Sequence, residues 1–390
     1  MVWNYFPVAL SVLLIQAATV TGHAAIWHPS MYGFNVTSST FPYDNRPVTP
    51  LKYMSFQRWW FHNHLAHPPN PGDIFSLSAG EPATVEIACN KGATSYFASS
   101  EGGDIRNPSK PNDVCPGSPM KEYHTNGIND LEGCALAIAY KNDVKQVQPA
   151  DFTIFSVNRT CVWNRFTDFS VPKRMPACPD GGCICAFFWI HAPDSGGEEM
   201  YMNGFKCDIA NPTSKVPLAQ SKVARRCGAD RANDKPQAAL GNCTYGAKQP
   251  LYWFNLERAN MFEGAYSPPV YNELYNFIEG SQDDIFEDSY ISLPDPAPNA
   301  ALPVLRHLTG QGQPNSTSKT AAGAPTRSMP TSPTQTVSSA RKKCKFRTTK
   351  RAYAGNDAAQ GDSRPERWSV MKMTKRHRRL EERESLWSIF

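Results

Sequence analysis

At 390 residues, with a formal net charge of +5, the chain is long enough for one large domain with appended segments. The charge is uneven: residues 341–390 carry 15 Lys and Arg against 6 Asp and Glu, a net +9 that leaves the rest of the chain mildly acidic at −4. A nucleic-acid-binding reading of the basic pI is therefore excluded, because such proteins concentrate their basic stripe on the folded part.

Residues 1–22 contain no charged side chain and hold an apolar run over 6–15, too short to span a bilayer as a stable helix. The segment lacks a basic n-region but reads as a signal peptide. Val20 and Gly22 supply the small residues of a cleavage site that would make His23 the first mature residue. Residues 23–298 read as one globular domain, and no later segment looks transmembrane.

Short apolar or alternating runs bounded by Gly, Pro, Asn and Asp predict strands over 83–88, 135–140, 152–157, 186–191 and 200–209. No convincing amphipathic helix separates them. The expected fold is all-β, an immunoglobulin/fibronectin-like antiparallel β-sandwich that is disulfide-rich and has long loops. Residues 251–291 are dense in aromatics, including Tyr252, Trp253, Phe254 and Phe277, without a strand period. Packing across the sandwich is the expected use of these rings, with a carbohydrate platform as the alternative.

Residues 299–340 turn to Ala, Pro, Ser, Thr and Gln and read as a disordered, O-glycosylated linker. Residues 341–390 read as a basic, disordered C-terminal tail. A tether to acidic wall polymers, a solvated tail and a misassigned terminal exon all fit it.

Ten of the eleven cysteines fall between Cys89 and Cys243, an even set suited to disulfides in an oxidising compartment, with Cys344 left over in the tail. The spacing of Cys178, Cys183 and Cys185 also admits a metal, but disulfide chemistry is the better reading in that compartment. Sequons at Asn35, Asn158, Asn242 and Asn315 fit a glycosylated, secreted, extracellular protein. His62, His64 and His67 invite a zinc reading. The flanking prolines and the absence of an adjacent carboxylate favour structural or surface histidines, with polysaccharide contact by Trp59 or Trp60 as a further option.

A mature chain that starts at a histidine offers unusual chemistry, because the α-amine and the imidazole Nδ1 of one residue chelate a single ion. With a second imidazole opposite, three nitrogens form a T-shaped plane that suits copper and leaves a position open for an oxidant. The amine must lose its proton to bind, which its low pKa for an ammonium permits.

The stretch His23-Ala24-Ala25-Ile26-Trp27-His28-Pro29-Ser30-Met31-Tyr32-Gly33, with Tyr123-His124-Thr125 and Glu199-Met200-Tyr201, resembles the lytic polysaccharide monooxygenases, and most nearly auxiliary activity family 14. The likeness runs well over 23–209 and continues through the aromatic segment, leaving the linker and tail outside it. It implies one copper ion held by His23 and His124, with Tyr201 axial. It also implies His191 as a donor near the bound oxidant and Glu199 at a position where related enzymes often have Gln. A carboxylate there would donate a hydrogen bond only if protonated, or through water.

The resemblance further implies disulfides in chain order, Cys89 with Cys115, Cys134 with Cys161, Cys178 with Cys183, Cys185 with Cys207, and Cys227 with Cys243. Residue spacing alone leaves that connectivity open. The implied activity is oxidative cleavage of plant cell-wall polysaccharide, with xylan on cellulose as the substrate class. The implied partners are an external electron donor and oxygen or hydrogen peroxide, and the enzyme is expected to be a monomer. A copper-binding protein of the same fold, used for uptake or storage, is the rival class. A glycoside hydrolase is disfavoured because no acidic pair stands out.

Overall fold

The computed structural model describes residues 23–37, 47–118, 125, 127–191 and 199–294, so the segments expected to be signal peptide, linker and tail, together with His124, Asn315 and Cys344, lie outside the described residues. Among the described residues nine strands carry the fold: β1 (Ala25–Trp27), β2 (Phe75–Ser78), β3 (Pro82–Ala88), β4 (Cys134–Ala139), β5 (Thr153–Asn158), β6 (Phe166–Ser170), β7 (Cys183–Ile190), β8 (Met200–Ala210) and β9 (Gly280–Ser281). They form a three-stranded sheet, β1-β3-β6, and a six-stranded sheet, β2-β8-β7-β4-β5-β9.

Burial follows position in these sheets. Every residue of β4 and β7 is buried, because both strands are central and covered on both faces. In β3 and β6 buried and exposed residues alternate, as expected where one face meets the core and the other meets water. The first core fills the space between the sheets, with Phe155, Phe187, Trp189, Tyr201 and Phe205 facing Ile26, Val85, Ile87 and Phe169.

A second core covers the opposite face of the large sheet. There Phe188, Ile190, Met200 and Met202 meet Trp59 at the end of α1 (Phe56–Trp59), Trp60 and Phe61 just after it, and Tyr252, Trp253 and Phe277. The aromatic segment therefore packs, as the sequence reading favours. Trp59 and Trp60 are correspondingly unavailable to a polysaccharide. Each fully buried aromatic side chain stabilises by roughly 1.5–3 kcal/mol, which favours this burial over display.

The pairing departs from a purely antiparallel sandwich at one edge, where β2 runs parallel to β8 with Phe75 opposite Cys207. Such a parallel pair needs a long crossover, and the chain between β2 and β8 supplies it by building most of the domain. Five disulfides, Cys89–Cys115, Cys134–Cys161, Cys178–Cys183, Cys185–Cys207 and Cys227–Cys243, join the cysteines in chain order. Cys185–Cys207 ties β7 to β8 directly.

The three described sequons differ in their surroundings. Asn35 is exposed. The Asn158 amide donates to Asp168 O, and its carbonyl oxygen accepts from Thr160 and Cys161. Asn242 bonds to Arg226 O and to the Arg225 guanidinium.

Candidate metal centre

The site grows from the pairing of β7 with β8. Trp189 lies opposite Tyr201 and Ile190 opposite Met200, so His191 continues past the end of β7 and Glu199 precedes the start of β8. Side chains alternate along a strand, which sends Trp189, Tyr201 and their next-but-one neighbours His191 and Glu199 to one face of the sheet, the face toward β1. Strand β1 belongs to the opposite sheet, and His23 stands two residues before it. Backbone bonds from Lys206 N to Ser30 O and from Tyr32 N to Gly204 O hold this N-terminal segment against β8.

Four side chains from three chain segments converge there. His23 Nε2 lies 3.8 Å, and His191 Nε2 3.9 Å, from the same oxygen, Glu199 Oε2. Tyr201 donates its hydroxyl to that oxygen at 2.9 Å. The His23 and Tyr201 rings are 6.0 Å apart. His23 retains 11% side-chain exposure against 3% for His191 and 8% for Glu199, so His23 is the most solvent-accessible of these.

Tyr201 is fully buried, and Trp189 stacks on it at 4.4 Å with 27° between the planes. Burial above all, then the Glu199 charge and the hydrogen bond to it, holds the phenol well above its usual range. The hydroxyl therefore keeps its proton and remains a donor near neutral pH.

A residue with no sequence signal completes the group. Leu51 bridges to Met200 through a 2.8 Å bond from Leu51 N to Met200 O, which places Lys52 beside Glu199. Its Nζ donates to Glu199 Oε1 at 2.9 Å. Both carboxylate oxygens thus accept hydrogen bonds, one from an ammonium and one from a phenol. The sequence reading gives Glu199 a donor role only if protonated or through water; here both of its oxygens accept.

The side chains that meet here offer nitrogen and oxygen donors, and all ten cysteines of the described residues are in disulfides. That donor set, imidazole with an adjacent phenol, fits copper in kind. His124 lies outside the described residues, and among those described no three His, Cys, Asp or Glu side chains form a metal cluster by themselves. The same holds for the zinc reading of His62, His64 and His67. His62 and His64 are buried and stack at 5.7 Å in a kinked turn whose residues 61–63 take left-handed φ, and a Cβ on Gly33 would overlap the His64 ring. These histidines pack.

Fold and site together define a disulfide-rich β-sandwich with histidine, carboxylate and phenol side chains gathered at one end of its central strands. Residues 5–384 match the family model described as lytic polysaccharide monooxygenase AA14. The chain is 63% identical over 297 residues to an AA14 family lytic polysaccharide monooxygenase B of Trametes coccinea, covering 76% of this chain and 70% of that one. It is equally identical to a protein of the same description from Pycnoporus cinnabarinus, covering 76% and 79%. It is 54% identical over 286 residues to an AA14 family lytic polysaccharide monooxygenase A of Trametes coccinea, covering 73% and 66%.

The chain belongs to the AA14 family of lytic polysaccharide monooxygenases. The family match runs beyond residue 298, into the segment the sequence reading sets outside the resemblance. Among the described residues no helix is long and apolar enough to cross a membrane.

Proposed function

We propose that this monooxygenase is secreted, is trimmed so that His23 begins the mature chain, and oxidatively cleaves plant cell-wall polysaccharide, with xylan on cellulose as its substrate. His23, through its α-amine and imidazole, and His124 would hold one copper ion, with the Tyr201 phenol as the further residue beside it. When bound, copper supplies the one-electron chemistry that, fed by an external reductant, turns oxygen or hydrogen peroxide into an oxidant for an unactivated C–H bond.

The protein's own part is positional and electrostatic. Tyr201 keeps its proton because burial disfavours phenolate, so it presents a neutral oxygen and occupies space that water would otherwise fill. Glu199 fixes that hydroxyl, and Lys52 offsets the carboxylate charge so that it does not stand uncompensated beside the His23 imidazole. His191, buried at the end of β7, would position the oxidant. The strands that carry His191 and Glu199, β7 and β8, are stapled by Cys185–Cys207, which gives these groups a rigid base.

The observation that carries this reading is the meeting of His23 and His191 on one oxygen of Glu199, itself bonded to Tyr201. Residues 299–390 are proposed to be a linker and a basic tail outside the catalytic domain, and the domain is proposed to act as a monomer.

The test uses secreted protein whose N-terminus has been sequenced. With copper and a reductant, material beginning at His23 is expected to release oxidised oligosaccharides, detected by mass spectrometry, from xylan-coated cellulose. Copper binding without oxidised product would overturn the reading in favour of metal uptake or storage. A mature terminus elsewhere would remove the proposed chelate.

A further inference from the structure

Next to Lys52, the chain does something that packing alone does not require. Tyr53 is 62% exposed, and its backbone sits in the left-handed region at φ 52. A bulky residue holds that conformation only where its surroundings enforce it. Phe254, directly across from it, is left-handed too, at φ 57.

The enforcement is visible. Tyr53 N donates to Phe254 O at 2.9 Å, and Leu256 N to Met54 O at 3.1 Å. Between them Asn255 accepts from Met54 N at 3.1 Å and donates to Leu51 O and Trp253 O, each at 3.2 Å. The rings of Tyr53 and Phe254 meet edge to face at 4.8 Å. Tyr252 and Trp253 go into the core, whereas Tyr53 and the 70% exposed Leu256 stay outside it. The result is a small rigid apolar ledge.

This ledge is continuous with the metal centre on both of its strands of chain. Tyr53 follows Lys52, whose ammonium is on Glu199, and Trp253, just before Phe254, donates its backbone N–H to Met200 Sδ between Glu199 and Tyr201. We infer that Tyr53, backed by Phe254 and flanked by Leu256, is a sugar-binding subsite that takes the C–H face of one pyranose ring of the polysaccharide chain attacked at the adjoining centre.

The inference rests on the polysaccharide-oxidising reading above. Its chemistry is that of a ring with an apolar face and hydroxylated edges. The face covers the tyrosine ring, and the exposed side of the Lys52 ammonium has donors left for a hydroxyl. Three side chains fall far short of the roughly 800 Å² per partner that a stable protein interface uses, but one sugar ring covers them.

The test uses copper-loaded enzyme and insoluble xylan-coated cellulose. Tyr53→Asn removes the ring but tolerates left-handed backbone, so it is expected to melt no lower than wild type while binding the polymer about tenfold more weakly. Tyr53→Phe is expected to bind within twofold of wild type. Substrate-free hydrogen peroxide production with reductant, which reads the metal centre alone, is expected to be unchanged in both.

Tyr53→Asn binding within twofold of wild type, Tyr53→Phe as weak as Tyr53→Asn, or a parallel loss of peroxide production overturns the subsite. So does a change in oligomeric state caused by Tyr53→Asn. If Tyr53→Asn lowers binding while even wild type yields no oxidised product, the subsite stands and the functional reading above fails instead.

Discussion

Replacing Lys52 by Met removes the ammonium from Glu199 while keeping much of the side chain's apolar length. A hydrogen bond to a charged group contributes roughly 1.5–3 kcal/mol when both partners are dry. The Lys52 side chain is 39% exposed, however, so solvent screening reduces the expected stability loss to about 1 kcal/mol, a Tm fall of about 2–4 °C. The larger effect is electrostatic and local. Glu199 Oε2 is 3.8 Å from His23 Nε2 and 3.9 Å from His191 Nε2, so Lys52→Met makes the carboxylate beside the proposed copper ligand more negative in effect by removing one cationic partner.

The expected outcome is a changed copper electron paramagnetic resonance spectrum and a lower reduction potential, with product yield reduced several-fold at a fixed weak reductant. Lys52→Arg is expected to recover most of each. A double-mutant cycle isolates the pair: in a Glu199→Gln background, Lys52→Met should change stability by less than about 0.5 kcal/mol. Equal losses in both backgrounds, or an unaltered spectrum and Tm for Lys52→Met alone, would refute the reasoning.

Loss of the Cys185–Cys207 bridge by paired alanine substitution is expected to cost about 2–4 kcal/mol and to lower Tm by about 5–10 °C, measured by calorimetry. Gly204→Ala would drive a Cβ into the Phe61 ring, whose own backbone is held left-handed. An overpacking loss of roughly 1–3 kcal/mol, read by guanidinium unfolding, is expected there.

Burial lowers the pKa of His28 below its ordinary 6.5, with Asp73 offsetting part of the shift. The folded ring therefore resists a proton that the unfolded chain accepts. This contribution is intact above pH 6.5 and is lost as pH falls from 6.5 toward the folded value. Melting at pH 7.5 and 5.5 should show a smaller acid-side drop in His28→Gln than in wild type.

Much of this fold is legible in the sequence because its large-sheet strands are long enough to show a pattern. The apolar runs that become β4, β5, β7 and β8 are covered on both faces, and β3 keeps a period of two, so their boundaries fall within a few residues of those observed. By contrast β1, β2 and β9 have 3, 4 and 2 residues, too few to establish a period. The outward-facing Phe166 and Phe169 in its core confuse the alternation of β6. The parallel docking of β2 on β8 is a long-range event with no local trace. Polysaccharide contact by Trp59 or Trp60 stays an option in the sequence, and the aromatic layer from 251–277 places both in the core.

What the residues alone determined is local or compositional: the strand periods, an even set of ten cysteines suited to disulfides, and the concentration of positive charge after residue 340. What tertiary structure decided is which distant groups share a charge. Lys52 meets Glu199 only because Leu51 bridges to Met200, and His23 meets it only because β1 closes the opposite sheet. Coulomb and hydrogen-bond energies act over a few ångströms of space and are indifferent to separation along the chain, so the acceptor role of Glu199 became visible only once the sheets were packed.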